Sequence, residues 1–266
     1  MTYTALVIEN DPTDDARRLG EWLVDAGLSM DVRKPYLHGQ AAGDDLPADL
    51  EGFAAFVVLG GEQHAYDDDA GNPGAPWFPA VESLLRKAVR HKVPTLGVCL
   101  GGQLLATAMG GTVERSAAGP EIGAGLVARR DAAEYDTLWR YVPFAPDVLQ
   151  WHEDEITELP VGATLLAAST RHPHQAFRVG DRAWGLQFHI ECDADMITTW
   201  AAGRDDEGSA KVLADLGTDA ETVIASCAAV LGDVEEVWQP FASRFAAVAR
   251  GELDVLPARQ LPLLGH

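Results

Sequence analysis

The segment PTLGVCLGGQLLA, from Pro94 to Ala106, contains a complete transition from strand to helix. Its first residues form a short apolar run typical of a buried strand, and a helical pattern begins directly after Cys99. Glycines lie two positions before and after the cysteine. Glycine permits the tight turn that projects a side chain from a strand end, and the following helix N-terminus favours a thiolate. The segment therefore predicts an α/β fold with a nucleophilic cysteine at the carboxyl end of a strand.

The alternation of strand and helix continues before this segment. Residues 3–9 and 53–59 are apolar runs that end in turn residues, as buried strands do. Helical stripes follow them at positions 19, 22, 23 and 26 and at positions 81, 84, 85 and 88. Strands separated by such helices predict a three-layer architecture, with helices on both faces of a mostly parallel central sheet. Ligands bind such sheets outside the carboxyl ends of the strands, where Gly60, Gly61 and Cys99 are expected.

The second half of the chain has shorter elements. Five short strands between residues 112 and 190 predict antiparallel or mixed strands added to the sheet, over residues 125–130, 148–151, 163–168, 175–179 and 183–188. Beyond residue 193 only helical spacing remains. We therefore expect a domain over residues 1–200 and a C-terminal helical extension over residues 201–266 packed on it. The extension either caps the domain or forms the face of a homodimer, and its apolar stripes do not distinguish the two.

Composition excludes several classes of protein. The 266 residues are 47% hydrophobic and 23% charged, as in globular proteins, and 41 acidic against 20 basic residues give a net charge of −21. Such a chain repels phosphate backbones and anionic lipid, so neither nucleic acid nor a membrane is an expected partner. There is no signal-peptide pattern and no apolar run near the roughly 20 residues of a membrane span. The three cysteines lack metal-ligand spacing. We expect a reduced, cytoplasmic protein.

A second strand end supplies partners for the cysteine. Residues 184–191 read WGLQFHIE, which places His189 and Glu191 on one face of an extended strand. A carboxylate beside the imidazole fixes its tautomer and stabilises the imidazolium, as a general base for a cysteine requires. Taken singly, a lone cysteine is most often a small core residue, and a His-x-Glu pair is most often on the surface. Their combination at two strand ends favours a triad of Cys99, His189 and Glu191.

These motifs resemble those of the class I glutamine amidotransferases. The resemblance covers residues 3–200 and rests on VCLGGQ around Cys99, GLQFHIE around His189 and LGG at residues 59–61, in the family's order and spacing. Weaker shared features make the stand-alone members labelled GMP-synthase-like the most similar: GPEIG at 119–123, WHEDEI at 151–156 and HQAFRVG at 174–180. The resemblance implies the flavodoxin-like fold of that family.

The resemblance also implies roles for individual residues. Cys99 attacks the side-chain amide of L-glutamine and forms a γ-glutamyl thioester, His189 transfers the protons, and Glu191 orients His189. The amide of Leu100, with Gly60 or Gly61, forms the oxyanion hole. Substrate is held by Gln103 and by the segment 152–154, largely through its backbone. The expected substrate-binding residues are thus Gly60, Gly61, Leu100, Gln103 and Glu153, and neither a metal nor a cofactor is expected.

The chain departs from the family pattern at two points. Ile190 stands where many members have proline between the triad histidine and glutamate, which leaves the alternation of the flanking side chains unaffected. Glu62, Gln63 and His64 follow Gly61 where many relatives have proline. The second departure alters the loop over the oxyanion hole.

Three functions remain open from the sequence. The leading one is a glutaminase or amidotransferase that supplies ammonia to a separate synthetase subunit or acts alone, because residues 201–266 are too few for a synthetase domain and no P-loop is present. The second is a γ-glutamyl peptide or amine hydrolase with the same triad, decided by the pocket around residues 62–66 and 151–154. The third is a catalytically silent binding or regulatory module, against which the retained cysteine and histidine argue.

Other conspicuous residues receive structural interpretations. The acidic run at residues 67–69 is expected in a solvated loop, and His172 and His174 lack a third metal ligand. Cys192 and Cys227 are expected to be structural. The tryptophans are expected in the core or at an interface: Trp77, Trp139, Trp151, Trp184, Trp200 and Trp238.

Overall fold

Twelve strands and six α-helices are present in the computed structural model over the residues it describes, 2–41, 45–203 and 208–256. The strands are β1 (Tyr3–Ile8), β2 (Leu28–Arg33), β3 (Ala55–Val58), β4 (Thr95–Val98), β5 (Thr112–Arg115), β6 (Glu121–Leu126), β7 (Ala128–Arg129), β8 (Asp147–His152), β9 (Asp154–Glu158), β10 (Thr164–Ala168), β11 (Ala176–Val179) and β12 (Ala183–Leu186). The helices are α1 (Arg17–Asp25), α2 (Phe78–His91), α3 (Leu100–Ala108), α4 (Ala194–Ala202), α5 (Gly208–Asp215) and α6 (Ala220–Ala249).

The central sheet has the strand order β2-β1-β3-β4-β12-β11-β10-β7. The five strands from β2 to β12 are mutually parallel, and β11, β10 and β7 continue the sheet in antiparallel pairs. This mostly parallel sheet between helical layers confirms the predicted fold class. The carboxyl ends of β3, β4 and β12 are adjacent, so the segments that follow these three strands meet at one edge.

The sheet differs from the expectation in two respects. Residues 148–151 were expected to join it, but β8 pairs with β6 in a separate antiparallel ribbon, and β5 pairs with β9 in another. The ribbon containing β8 reaches the sheet region through a single antiparallel bridge between Leu149 and His189. The edge strand β2 was not predicted, because its sequence LSMDVR lacks the continuous apolar run of the inner strands. In the structure it is mostly half-buried, and Asp31 and Arg33 form an ion pair at 2.6 Å.

Alternate residues of each buried strand enter two apolar cores. In β1, Ala5 and Val7 face the core under α1 and α6, whereas Leu6 and Ile8 face the core under α2 and α3. Side chains of successive strand residues point to opposite faces, so a fully buried parallel strand must be apolar at every position. This requirement explains the continuous apolar runs in the sequence.

The C-terminal stripes predicted from the sequence belong to one 30-residue helix, α6. Trp238 lies at its centre, fully buried, with its ring 5.5 Å from Trp139 and 5.1 Å from Phe188. Its indole N–H donates to the carbonyl oxygen of Asp147 at 2.9 Å, at the start of β8. Helix α6 therefore shares a core with the sheet, and the division at residue 200 stays a prediction. Residues 204–207 and 257–266 of the expected extension lie outside the described residues.

No helix within the described ranges combines the length and the apolar character that crossing a membrane requires.

We expect Trp238→Ala to lower the free energy of unfolding by about 3–5 kcal/mol, because it removes a fully buried indole and leaves a cavity among aromatic rings. Urea titration monitored by circular dichroism measures the change. Phe144→Ala is the matched control, since this aromatic side chain is 71% exposed and its loss should change stability by less than about 0.5 kcal/mol. Equal effects of the two substitutions would show that α6 is not part of the cooperative core.

Candidate active site

Cys99 occupies a strained turn between β4 and α3. Its backbone has φ 50° and ψ −112°, a left-handed conformation that non-glycine residues seldom adopt. The N–H of Cys99 donates to the carbonyl oxygen of Leu186 at 2.8 Å, and its carbonyl oxygen accepts the N–H of Gln103 at 3.0 Å. Strain of this kind persists only where surrounding structure enforces it and is concentrated at functional sites.

The glycines around Cys99 are required by the closeness of neighbouring backbone. A Cβ atom on Gly101 would lie 1.9 Å from the carbonyl oxygen of Val58, and one on Gly97 would lie 2.4 Å from the carbonyl oxygen of Gly101. The first turn of α3 therefore packs directly against β3. This packing brings the loop after β3 beside the cysteine.

His189 and Glu191 lie beyond the end of β12 rather than on the strand itself, which corrects the expected location. Nδ1 of His189 is 2.6 Å from Oε1 of Glu191, and both side chains are 1% exposed. The second carboxylate oxygen accepts the N–H of Ile190 at 2.9 Å. The backbone N–H of His189 donates to the carbonyl oxygen of Leu149 at 2.8 Å, which fixes the histidine between β12 and β8. The pairing expected from the His-x-Glu spacing is thus present, but the bridge to β8 positions it.

The charges around His189 favour its protonated form. Burial alone would lower the pKa of His189, but the carboxylate of Glu191 and the neighbouring Cys99 together raise it well above its usual value. Nε2 of His189 is buried without a hydrogen-bond partner among the described residues. With Nδ1 committed to Glu191, the free Nε2 is the atom available to exchange a proton at Cys99.

A cavity of about 430 Å³ opens at Cys99. We call the wall formed by Gln63, His64, Gln103, Glu153 and Asp154 the polar end, and the wall formed by Ile122, Trp151, Trp200, Val212 and Leu213 the apolar end. The predicted residues Gly61, Leu100, Gln103 and Glu153 all line this cavity. Gly60 is not among the residues that line it, and a Cβ atom there would be 2.6 Å from Oδ1 of Asp14 and 3.2 Å from Cε1 of His189.

Gln103 and Glu153 differ in how they are held. Gln103 is buried, and its Nε2 donates to Oε1 of Gln187 at 3.2 Å and, more weakly, to the carbonyl oxygen of Asp154 at 3.4 Å. Glu153 is 40% exposed and forms an ion pair with Arg115 at 2.6 Å. Gln103 is therefore part of the rigid floor of the cavity, whereas the side chain of Glu153 is directed towards Arg115 at its rim.

The loop that departs from the family pattern is joined to Asp154 within the polar end. Nδ1 of His64 is 2.6 Å from Oδ2 of Asp154, and the hydroxyl of Tyr66 donates to the other carboxylate oxygen at 3.3 Å. The rings of His64 and Tyr66 stack with centroids 5.0 Å apart. The residues that replace the proline of relatives thus form a closed contact over the polar end.

A buried polar cluster supports the segment 151–154 from below. Oε2 of Glu121 lies 3.5 Å from Nε2 of His152 and 3.2 Å from Nδ1 of His172. Burial opposes ionisation of Glu121, but hydrogen bonds from His152, His172 and Ser169 hold its pKa well below the usual range. The spacing of Glu121, His152 and His172 would accommodate a metal ion, as would that of His189, Glu191 and Cys192. His174, which the sequence did not favour as a metal ligand, is not part of this cluster, and its Nδ1 is 2.7 Å from the carbonyl oxygen of Ile156.

Sequence reasoning missed several residues of the site. Asp14 lines the cavity although it carries no signal that separates it from Asp11 and Asp15 in the same turn. Gln187 lies within the quoted motif GLQFHIE, and its amide donates weakly to Sγ of Cys99 at 3.8 Å. Trp151 and Trp200 were expected in the core or at an interface, but both line the cavity.

The remaining structural expectations can be compared directly. Cys192 and Cys227 are buried free cysteines, and burial raises the pKa of both thiols, with Glu191 and Asp14 raising that of Cys192 further. Neither is suited to act as a nucleophile. Within the acidic run, the carboxylate of Asp68 bonds Asn72 in an exposed turn. The residues 67–69 therefore form a solvated loop as expected.

The chain is similar to known proteins in sequence and in fold. The family model for class I glutamine amidotransferases matches residues 46–195, which is more than half of the chain. The chain therefore belongs to the class I glutamine amidotransferase family. The matched range includes Cys99, His189 and Glu191, whereas Asp14 and Trp200 lie outside it.

Solved structures extend the similarity over nearly the whole chain. A glutamine amidotransferase from Thermotoga maritima is 26% identical, with a TM-score of 0.76 and coverage of 92% of this chain and 99% of that one. A glutamine amidotransferase from Methylobacillus flagellatus, 24% identical with a TM-score of 0.75, is covered completely and shares the fold.

Curated relatives fall into different activity classes. Gamma-glutamyl peptidase 4 of Arabidopsis thaliana is 29% identical over 151 residues, which are 56% of this chain and 58% of that protein. GMP synthase (glutamine-hydrolyzing) of Porphyromonas gingivalis is 34% identical over 147 residues, 55% of this chain and 26% of that protein. The chain thus spans less than two thirds of the length of either relative.

We expect Asp14→Asn to change the free energy of unfolding more favourably above pH 7 than at pH 5. Burial, which the charge of His189 only partly offsets, raises the pKa of Asp14 to about 7. Between about pH 4 and pH 7 the folded chain keeps a proton that the unfolded chain loses, so the wild-type protein loses stability as pH rises. The uncharged amide of the Asp14→Asn variant does not titrate, so the variant avoids this loss of unfolding free energy, which is on the order of 4 kcal/mol at most.

Urea titrations of wild type and Asp14→Asn at pH 5 and pH 8 measure this difference, and comparing the two pH values cancels the effect of the amide on packing. Asp69→Asn, at an exposed position, is the matched control and should give no pH-dependent difference. A difference for Asp14→Asn that does not change with pH would contradict the raised pKa.

Proposed function

We propose that the chain hydrolyses the γ-amide bond of L-glutamine or a related γ-glutamyl compound through a thioester on Cys99. The observation that carries this proposal is the arrangement of His189, which directs Nδ1 to Glu191 at 2.6 Å and leaves a buried Nε2 unpartnered beside Cys99. A nucleophile, a base and a group that orients the base are thus available at one end of a cavity. Membership of the class I glutamine amidotransferase family supports the same chemistry.

The proposed reaction has two halves. Sγ of Cys99 attacks the γ-carbonyl carbon, and the thiol proton passes to Nε2 of His189. When the C–N bond breaks, the imidazolium gives this proton to the leaving nitrogen, and a γ-glutamyl thioester remains. Water, deprotonated by His189, then cleaves the thioester to give glutamate and the free thiol. The raised pKa of His189 favours the imidazolium that must protonate the leaving nitrogen.

We assign the oxyanion hole to the backbone N–H of Leu100 with that of Gly60 or Gly61. Leu100 is the first residue of α3, where N–H groups have no partner within the helix. Gly60 and Gly61 follow β3 beside His189 and Leu100, in positions where a Cβ atom would meet these side chains. Donors held in place before the reaction stabilise the negative charge that develops on the carbonyl oxygen.

We place the glutamyl α-amino and carboxylate groups at the polar end of the cavity. Gln103, Glu153 and the backbone of residues 152–154 are the expected contacts there. The contact of His64 with Asp154 closes the same end and limits its length. This orientation puts the γ-carbonyl group at Cys99 and directs the leaving nitrogen away from the polar end.

Supply of ammonia to a separate synthetase subunit is the second candidate function. The similarity to glutamine-hydrolyzing GMP synthase favours it. A synthetase that binds the chain can be isolated by a pull-down and added to it. A rise in ammonia release on this addition would distinguish this function from that of an autonomous hydrolase.

We expect Cys99→Ala to abolish the release of glutamate and ammonia from L-glutamine by the purified chain, because no other group at the strand end can form the thioester. An enzyme-coupled glutamate assay measures the release. Cys227→Ala is the matched control and should retain it, since this buried cysteine lies on α6. Release that persists in Cys99→Ala would contradict the proposal. An inactive wild-type chain that binds L-glutamine without turnover would favour the silent module.

We expect Glu191→Gln to reduce kcat by roughly 10²- to 10⁴-fold, the usual contribution of a correctly protonated acid–base group. The amide removes the negative charge that raises the pKa of His189, so the imidazolium becomes scarcer at neutral pH. The pH dependence of kcat should therefore shift to lower pH in the variant. An unshifted profile, measured alongside an unchanged unfolding midpoint, would show that Glu191 does not control the imidazole.

A further inference from the structure

The cavity is larger than the glutamyl group requires. Its volume of about 430 Å³ is in the range of sites that bind drug-sized ligands, roughly 300–1,000 Å³. The polar end accounts for the glutamyl group under the proposed function, and the apolar end, which includes Trp200 beside His189, has no role in that assignment. The apolar end therefore needs an explanation of its own.

The position of His189 determines which part of the substrate meets the apolar end. The imidazole must give its proton to the leaving nitrogen, so any substituent on that nitrogen emerges beside the imidazole ring. The ring of Trp200 packs edge-on against His189 with centroids 4.7 Å apart. The ring of Trp151 contacts Trp200 in turn, with centroids 5.6 Å apart. A substituent on the leaving nitrogen would thus contact Trp200 first.

The apolar end is held rigidly enough to act as a binding wall. The indole N–H of Trp200 donates to the carbonyl oxygen of Thr13 at 3.1 Å, which fixes its ring. Ile122 is paired with Trp151 across the ribbon of β6 and β8. Leu213, on α5, is 2% exposed and completes the wall.

The charges of the cavity disfavour an anionic leaving group. None of its described lining residues is lysine or arginine, and its ionisable side chains are those of Asp14, Glu62, His64, Cys99, His152, Glu153 and Asp154. His64 is already paired with Asp154, and His152 is buried with its nitrogens directed at Asp154 and Gln150. A carboxylate next to the scissile nitrogen would lose its hydration against tryptophan and leucine, which is unfavourable unless a cation pairs with it. The nearby cations already have partners: His189 is paired with Glu191, and Arg115 and Arg171, which line the adjoining pocket beside Val212, bond Glu153 and the carbonyl oxygen of Pro120.

We propose that the preferred substrate is the γ-glutamyl amide of a primary amine with an apolar body and no carboxylate beside the scissile nitrogen. This inference rests on the proposed function and selects γ-glutamyl amines over γ-glutamyl peptides and free glutamine. Trp151, Trp200, Val212 and Leu213 are then the residues that determine specificity for the leaving group.

Three substrates with one glutamyl group test the inference: γ-L-glutamyl-phenethylamide, γ-L-glutamyl-L-phenylalanine and L-glutamine. The first two differ only in the carboxylate. We expect kcat/KM for the phenethylamide to exceed that for the dipeptide and for glutamine at least about 10-fold, since an unpaired carboxylate or an unfilled apolar wall costs at least that much. Glutamate release by the full chain is the readout, with Cys99→Ala as the blank.

A charge introduced at the apolar end provides a second test. Val212 is half-buried on α5, so Val212→Arg places a guanidinium at the wall without displacing the core. The ratio of kcat/KM for the phenethylamide to that for the dipeptide should fall at least about 10-fold, since the new cation pairs with the carboxylate. Val212→Met, which keeps the wall apolar and introduces no charge, should not lower the ratio.

The outcomes separate this inference from the proposed function. Cys99-dependent hydrolysis in which the dipeptide or glutamine is preferred would overturn the inference and leave the proposed function intact. If none of the three compounds releases glutamate, the proposed function fails. Calorimetry with Cys99→Ala then still tests the cavity, because phenethylamide binding no tighter than dipeptide binding would overturn the inference independently of turnover.

Discussion

The approach of α3 to β3 is the constraint on which the site depends. The carbonyl oxygen of Val58 is so near Gly101 that no side chain fits between them, and Cys99, two residues earlier, has its left-handed conformation in the same turn. The same contact sets the loop after β3 over the sulfur atom. Backbone packing, rather than side-chain attraction, therefore brings Cys99 and the glycines after β3 close together.

Much of this arrangement could be predicted because its causes are local. The strand-to-helix turn at Cys99 and the two apolar faces of the sheet follow from glycine placement and hydrophobic periodicity over a few residues. The ribbon of β6 and β8 could not be predicted to leave the sheet, because short strands carry the same alternation whichever neighbour they pair with. Asp14 and Trp200 belong to the site because they lie near His189. Asp14 is about 175 positions from His189 along the chain and Trp200 about 11, and no local sequence pattern indicates such contacts.

The two groups of residues around the cavity have different origins in the fold. Cys99, His189 and Gln103 stand at or beside the ends of central strands, whose positions the sheet fixes. The apolar end is built mainly from α4 and α5, which follow the last strand and are not constrained by its hydrogen bonds. Under the proposed function, thioester formation and the choice of leaving group thus belong to separate parts of the chain.

Trp200 is the exception to this separation, since its ring packs edge-on against the imidazole of His189 and also lines the cavity. Any replacement there alters the imidazole's surroundings together with the shape of the wall, so selectivity and turnover change jointly. Val212 touches no reacting group and carries no such penalty. Substrate specificity should accordingly change more readily, in evolution or in a laboratory library, through substitutions on α5 than through substitutions of Trp200, because the latter also affect turnover.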